Sequence, residues 1–119
     1  MRKALPYICA GILFAGAIAH VIVPDFFNPL IPDFVSPWLA NVLATIAEAG
    51  IGILLVIPRY RHIGGLAFAL LMLAFLPLHT WDLIRENPAV GPSPIPEIRF
   101  MFQFVLIYFG WSIFRQPKS

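Results

Sequence analysis

Seven polar side chains that could bind a ligand or move a proton lie within or beside long apolar stretches of the sequence. They are His20, Asn41, Thr45, Glu48, His79, Asp82 and Gln103. Imidazole and carboxyl groups are the side chains that most often act as acids and bases, so Glu48, His20 and His79 are the candidates for proton transfer. The amides and the hydroxyl would orient a ligand by hydrogen bonding. Which chemistry is possible depends on whether the fold brings them together.

The composition places these groups in a membrane. The chain has 119 residues, of which 60% are hydrophobic and only 12% charged, and its mean hydropathy is +0.84. A soluble domain carries about 25% charged residues. Apolar runs at 4–23, 38–58, 63–83 and 98–114 each approach the ~20 residues that a helix needs to cross a bilayer. We therefore predict one domain, residues 1–119, with an all-α fold: a transmembrane four-helix bundle.

The basic residues predict the orientation of this bundle. Six of the eight lysines and arginines lie before the first run, between the second and third runs, or after the fourth: Arg2, Lys3, Arg59, Arg61, Arg115 and Lys118. The positive-inside rule then places both termini in the cytoplasm. Because topology accounts for the net charge of +2, we expect no nucleic-acid partner.

Polar residues from all four predicted spans fall at one depth. Counted at ~1.5 Å per residue, His20 and His79 both lie in the outer third of their spans. Gln103 enters at a similar depth, whereas Arg99 is expected at the membrane boundary. In the second span the polar residues recur at i, i+4 and i+7, which is one face of a helix: Asn41, Thr45 and Glu48. The set predicts a polar pocket in the outer half of the bundle.

Glu48 is the most informative member of this set. A carboxylate at the centre of a span costs about 2.5–3.5 kcal/mol on insertion scales. Glu48 can reduce that cost by being neutral, by pairing with His20 or His79, or by bordering a cavity. Alternatively it only hydrogen-bonds a neighbouring helix, an interaction that stabilises a membrane bundle by about 0.6–2 kcal/mol. Asp82, three residues after His79, would orient that imidazole or raise its pKa.

A metal site is not expected. His20, His79 and Glu48 have suitable ligand types, but no local motif such as HExxH marks them. The single cysteine, Cys9, forms no CxxC pair, so it reads as a small buried apolar residue.

Two proline-rich connections face the outer side. Residues 24–38 (PDFFNPLIPDFVSPW) combine four prolines with six large apolar side chains, which predicts a segment lying in the membrane interface. It would be either a lid over the bundle or a simple hydrophobic connector. Residues 86–97 (ENPAVGPSPIPE) also contain four prolines and predict a stiff, extended link.

Three stretches of the sequence resemble the DoxX family of small four-helix membrane proteins. They are GAIAHVIVPDFFNPLIPDFVSP, AEAGIGILLVIPRYRHIGGLAFALLMLAFLPLHTWDL and IRFMFQFVLIYFGW. In the family pattern a histidine closes the first helix and a glutamate sits among small residues in the second, so His20 and Glu48 carry over as its polar residues. Many relatives have an alanine-asparagine pair where this chain has Leu78-His79, so the resemblance carries over a role for His79 less well than for His20 and Glu48. The resemblance implies a bacterial inner membrane and a setting that includes quinone redox chemistry.

Three functions remain open at this point. The first is a small membrane subunit or binding protein that holds a quinone, lipid or similar hydrophobic molecule in the polar pocket. Since the chain lacks a CxxC or cofactor motif, electrons would come from a protein partner in a membrane complex. The second is a purely structural accessory subunit, and the third is a membrane enzyme that moves protons with Glu48 and a histidine.

Overall fold

The computed structural model describes residues 3–117, and within that range it contains helices and no strand. The four long helices are α1 (Leu5–Ile22), α2 (Pro37–Val56), α3 (Arg61–Ile84) and α4 (Ile95–Arg115). All four are long and apolar enough to cross a membrane, which confirms the predicted all-α four-helix architecture. Short 3-10 turns lie at Pro24–Phe26, Asn28–Leu30 and Pro58–Tyr60. Arg2 and Lys118, used above for the orientation, lie outside the described residues.

Prolines and one serine determine where the helices begin. α1, α2 and α4 each carry a proline in the first two positions, where the missing N–H is not needed for a helical hydrogen bond. The hydroxyl of Ser36 accepts a hydrogen bond from Leu39 N at 3.4 Å and caps α2. α4 begins at Ile95, three residues earlier than the apolar run suggested, so its first turn is amphipathic.

The bundle is built from two helix pairs, α1 with α2 and α3 with α4. We call the half with the start of α1, the end of α4 and the Pro58–Tyr60 turn the terminal half, and the half with the proline-rich connections the loop half. Apolar side chains fill the core of the terminal half and continue to mid-bundle. The fully buried members include Cys9, Leu55, Phe68 and Ile113. This region has the dry, close packing of a membrane helix interface.

One glycine shows how closely α3 and α4 approach in the terminal half. A Cβ added to Gly110 would lie 2.6 Å from the backbone nitrogen of Ala69 and 2.8 Å from the carbonyl oxygen of Gly65. Backbone atoms cannot move aside as a flexible side chain can, so only glycine fits here. Small residues that let two backbones meet are the usual means by which membrane helices pack.

Polar groups in the terminal half serve the helix ends. The guanidinium of Arg61 donates to Leu55 O (3.0 Å) and to Tyr7 Oη (3.1 Å). His62 Nδ1 lies 3.0 Å from Phe114 O. Because a carbonyl oxygen can only accept, this ring nitrogen carries the hydrogen. Both residues thereby satisfy carbonyl groups left unpaired at helix C-termini.

The second connection in the loop half is a folded turn, not the extended link expected from its prolines. The buried carboxylate of Asp82 accepts hydrogen bonds from Ala89 N (2.6 Å) and Val90 N (3.3 Å). Gly91 adopts φ +128°, a conformation that other residues rarely take. The carboxylate therefore gathers the chain between α3 and α4 into a compact loop.

Candidate functional site

A cavity of about 330 Å³ lies in the loop half, between the two helix pairs. Its polar lining comes from all four helices: His20, Asn41, Glu48, His79 and Arg99. Leu13, Met72 and Leu106 line its deep end, toward mid-bundle. The volume is at the lower end of the ~300–1,000 Å³ range of ligand pockets, and apolar walls with a few polar groups are typical of them. We call it the central cavity.

His20, near the end of α1, is held by Asn41 of α2. The Asn41 amide nitrogen donates to Pro37 O at 2.9 Å, which assigns its oxygen as the atom that faces His20 Nδ1 at 2.7 Å. An amide oxygen can only accept, so Nδ1 carries the hydrogen. The other ring nitrogen, Nε2, is left to face Glu48.

The Nε2 atom of His20 lies 3.4 Å from Glu48 Oε1, and Glu48 is only 5% exposed. Two unprotonated acceptor atoms at this distance would repel each other, so one of the two groups is expected to carry a proton. It belongs either to a carboxylic acid facing a neutral ring or to an imidazolium facing a carboxylate. The pair therefore presents one transferable proton at the wall of the central cavity, a suitable arrangement for acid–base chemistry.

Two neighbours shape the space around this pair. The ring of Phe27 stacks on His20, with centroids 3.8 Å apart and planes inclined by 25°. Gly16, one turn before His20 on α1, leaves room for the carboxyl group, since a Cβ there would lie 2.6 Å from Glu48 Oε1. The bare backbone of Gly16 thus decides where the Glu48 side chain can lie.

The opposite wall carries His79 and Arg99. His79 Nδ1 is buried and has no hydrogen-bond partner among the described residues. Arg99, in the second turn of α4, donates to Gln103 Oε1 at 2.9 Å. Gln103, which is fully buried, in turn donates to Met72 O at 2.6 Å. Gln103 therefore orients Arg99 and joins α4 to α3.

The first proline-rich connection covers the open end of the central cavity, and we call it the roof. Its residues Phe26, Phe27, Leu30 and Ile31 line the cavity. Arg85 at the end of α3 donates to Pro29 O at 2.6 Å and anchors the roof to that helix. Arg85 thus ties the roof to α3, in addition to the roof's chain connections with α1 and α2.

Four of the seven polar residues singled out in the sequence line the central cavity: His20, Asn41, Glu48 and His79. The other three do structural work nearby. The Thr45 hydroxyl donates to Asn41 O at 2.8 Å, Gln103 links α3 and α4, and Asp82 binds the loop after α3 instead of the ring of His79.

Arg99 was not among the expected site residues. The apolar run placed it at the membrane boundary, but α4 starts at Ile95, so Arg99 falls one turn deeper and faces inward. The signal that would have found it is its i,i+4 spacing to Gln103, which puts both on one helix face.

Two other hollows lie on the outside of the bundle. One, of about 470 Å³, is bordered by Trp38, Val42 and Ile46 and shares His20 and Asn41 with the central cavity. The other, of about 510 Å³, lies along α3 around Pro77. Glu48, His79 and Arg99 line the central cavity, and none of them lines either of the other two hollows. The central cavity is therefore the better candidate site. Across residues 3–117, no group of three or more His, Cys, Asp or Glu side chains could hold a metal ion.

Comparison with known proteins gives a family but no activity. A family model described as a domain of unknown function (DUF8561) matches residues 9–114. No curated protein and no solved structure matches the chain. Since the matched range includes nearly all of the four helices and both cavity walls, the chain belongs to the DUF8561 family.

Proposed function

We propose that this protein is a membrane-embedded binding subunit that holds a hydrophobic molecule, a quinone or a lipid, in the central cavity. The supporting observation is an apolar cavity with hydrogen-bonding groups on opposite walls, one of which, His79 Nδ1, has no partner among the described residues. A buried polar atom without a partner is unfavourable, and a bound ligand would satisfy it. This is the function that the geometry supports best.

A quinone fits the two walls in a specific way. Its ring would pack against apolar side chains, and its two carbonyl oxygens would need a donor at each end. On one side the proton between His20 and Glu48 can be donated. On the other side His79 is available. Electrons would come from a protein partner in the same membrane complex, which agrees with the sequence resemblance to the DoxX family.

The orientation is part of the same proposal. With both termini in the cytoplasm of a bacterial inner membrane, the central cavity would lie in the outer half of the bilayer. The exposed side chains of Phe26, Phe34 and Trp38 would then sit at the outer interface, where aromatic residues are enriched.

A second candidate function is catalysis of proton transfer on a membrane-dissolved substrate. The observation that favours it is the fixed tautomer of His20, which aims Nε2 at Glu48 and leaves one mobile proton at the cavity wall. An enzyme of this kind would act without partners. Turnover of a lipophilic substrate by the purified chain alone would select this function over the binding subunit.

Native mass spectrometry combined with lipid extraction tests the main proposal. The mildly purified protein is compared with Glu48→Gln and His20→Ala, and with Glu97→Gln as a matched control. Glu97 is an exposed acid that bonds only Ser93 among the described contacts. We expect one quinone or lipid per chain in the wild type and in the control, and its loss in both cavity variants.

The absence of any bound molecule would contradict the proposal. If all four proteins are intact and carry no small molecule, and added decylubiquinone or lipid does not bind, the polar cluster is structural. The protein would then be an accessory subunit whose cavity has no ligand.

A further inference from the structure

Arg99 is a charged group that the protein itself does not neutralise. The close contacts between basic and acidic side chains among residues 3–117 join His20 to Glu48 and Arg85 to Asp82, and neither involves Arg99. Its one described hydrogen bond goes to the neutral amide of Gln103, and its nearest ring contact is Phe102, 5.8 Å from the guanidinium carbon. A guanidinium has five N–H donors, and the described residues accept from one of its nitrogens.

Three acids of α2, α3 and α4 contact partners other than Arg99. The Asp82 carboxylate accepts from two backbone N–H groups and from Arg85. Glu97 accepts from Ser93 at 2.7 Å. Glu48 lies beside His20, against Gly16 of α1. Among the described residues, no carboxylate lies within ion-pair distance (4 Å) of the Arg99 guanidinium.

An unneutralised charge within a membrane span is expensive, and such groups normally face a partner or a polar cavity. Arg99 lines the central cavity together with His79. Guanidinium groups bind carboxylates and phosphates through two parallel hydrogen bonds. His79 Nδ1, which has no protein partner, can add a third donor.

We propose that the ligand of the central cavity is a single-chain amphiphile with an anionic head, a carboxylate or a phosphate, bound by Arg99 and His79. Its apolar chain runs toward Leu13, Met72 and Leu106 at mid-bundle. A cavity of about 330 Å³ holds a head and part of one chain, not a two-chain lipid. The proposal rests on the proposed binding function and replaces a neutral ligand by an anionic one.

The test compares heads on one chain length. Laurate, dodecyl phosphate and the neutral dodecanol are titrated against the protein in a neutral detergent, and bound copies are counted by native mass spectrometry. We expect one laurate or dodecyl phosphate per chain, with dodecanol binding about tenfold more weakly or worse, the scale of a lost charge-assisted hydrogen bond. Lipid extraction from the purified protein shows whether the natural head is carboxylate or phosphate.

Variants assign the preference to Arg99. Arg99→Gln should bind laurate no better than dodecanol, while Arg99→Lys keeps part of the preference because it keeps the charge. Arg59→Gln is the matched control, since Arg59 is exposed in the turn at the other end of the bundle and should behave as wild type. If Arg99→Gln does not fold, the comparison of wild type with Arg99→Lys and the comparison of the three heads still decide.

The outcomes separate this inference from the proposed function. Equal binding of laurate and dodecanol to the wild type, or an anion preference that survives in Arg99→Gln, overturns the anion site. A bound neutral quinone that is lost in Glu48→Gln but not in Arg99→Gln overturns the anion site and leaves the binding function standing. If no amphiphile and no quinone binds, both proposals fall.

Discussion

The two halves of the bundle use the same four helices in opposite ways. In the terminal half, apolar side chains fill the interior and α3 and α4 touch through their backbones at Gly110. In the loop half, four polar residues are buried, namely Asn41, Glu48, Asp82 and Gln103, and a cavity separates the helix pairs. The terminal half is closely packed throughout, whereas the loop half has space and hydrogen-bond donors that could hold a ligand.

We infer from this difference that the terminal half contributes most to stability and that the loop half is the place to look for function. Close packing is the main favourable term for helix association in a membrane, because water does not drive it there. A region that gives up packing for a cavity and keeps polar groups inside loses that term, and such a region usually has a functional reason. Variants at the close α3–α4 contact of the terminal half should therefore lose stability, whereas variants at the wall of the central cavity should lose ligand.

The largest effect is expected for Gly110→Ala. Its Cβ would meet Ala69 N at 2.6 Å, and forcing two backbones apart should lower the free energy of unfolding by about 3 kcal/mol. The control is Gly50→Ala, where nothing lies within 4 Å of the added carbon and alanine is a better helix former. SDS titration of both variants measures the difference, and equal stability would remove the contrast between the halves.

A smaller loss of stability is expected for Asp82→Ala. The change leaves the N–H groups of Ala89 and Val90 without their acceptor, which should cost about 2 kcal/mol. Glu86→Ala is the control, because Glu86 is an exposed acid of the same loop. Hydrogen exchange at the two amides checks the cause: rapid exchange is expected only in Asp82→Ala, and unchanged protection would contradict the role given to this carboxylate.

The smallest effect on stability is expected for Gly16→Ala. The added carbon would meet the end of the Glu48 side chain at 2.6 Å, and a flexible side chain can rotate away at a cost below about 1 kcal/mol. Ligand binding should fall nevertheless, because the carboxyl group leaves His20. Gly11→Ala on the same helix has open space and serves as control. Normal ligand content in Gly16→Ala would show that the position of Glu48 does not matter.

Much of this fold could be predicted from the sequence because hydropathy and length determine membrane helices directly. The four runs and the shared depth of His20, Asn41, Glu48 and His79 follow from counting residues along straight helices. The predicted start of α4 was three residues too late, because prolines start the helix before the apolar run begins.

The roles of individual polar residues were harder to predict. Asp82 looks like a partner of His79 by spacing along one helix, but backbone N–H groups that arrive later in the chain bind it instead. Arg99 faces the central cavity because of rotation and depth set by α4, which a hydropathy window does not resolve. Pairings across helices, such as Asn41 with His20 or Gly16 with Glu48, depend on packing that single-helix periodicity does not contain.

Arg85 has a mechanical consequence for this bundle. Its guanidinium holds Pro29 O of the roof and Asp82 Oδ1, and it lies 4.2 Å from the centre of the Trp81 ring. Asp82 also accepts hydrogen bonds from the loop after α3. The roof and this second loop, which are distant in the chain, are therefore held by the same Arg85–Asp82 pair. Because Arg85 and Asp82 contact both connections, we expect that loss of the Arg85 contacts loosens the roof and the second loop together.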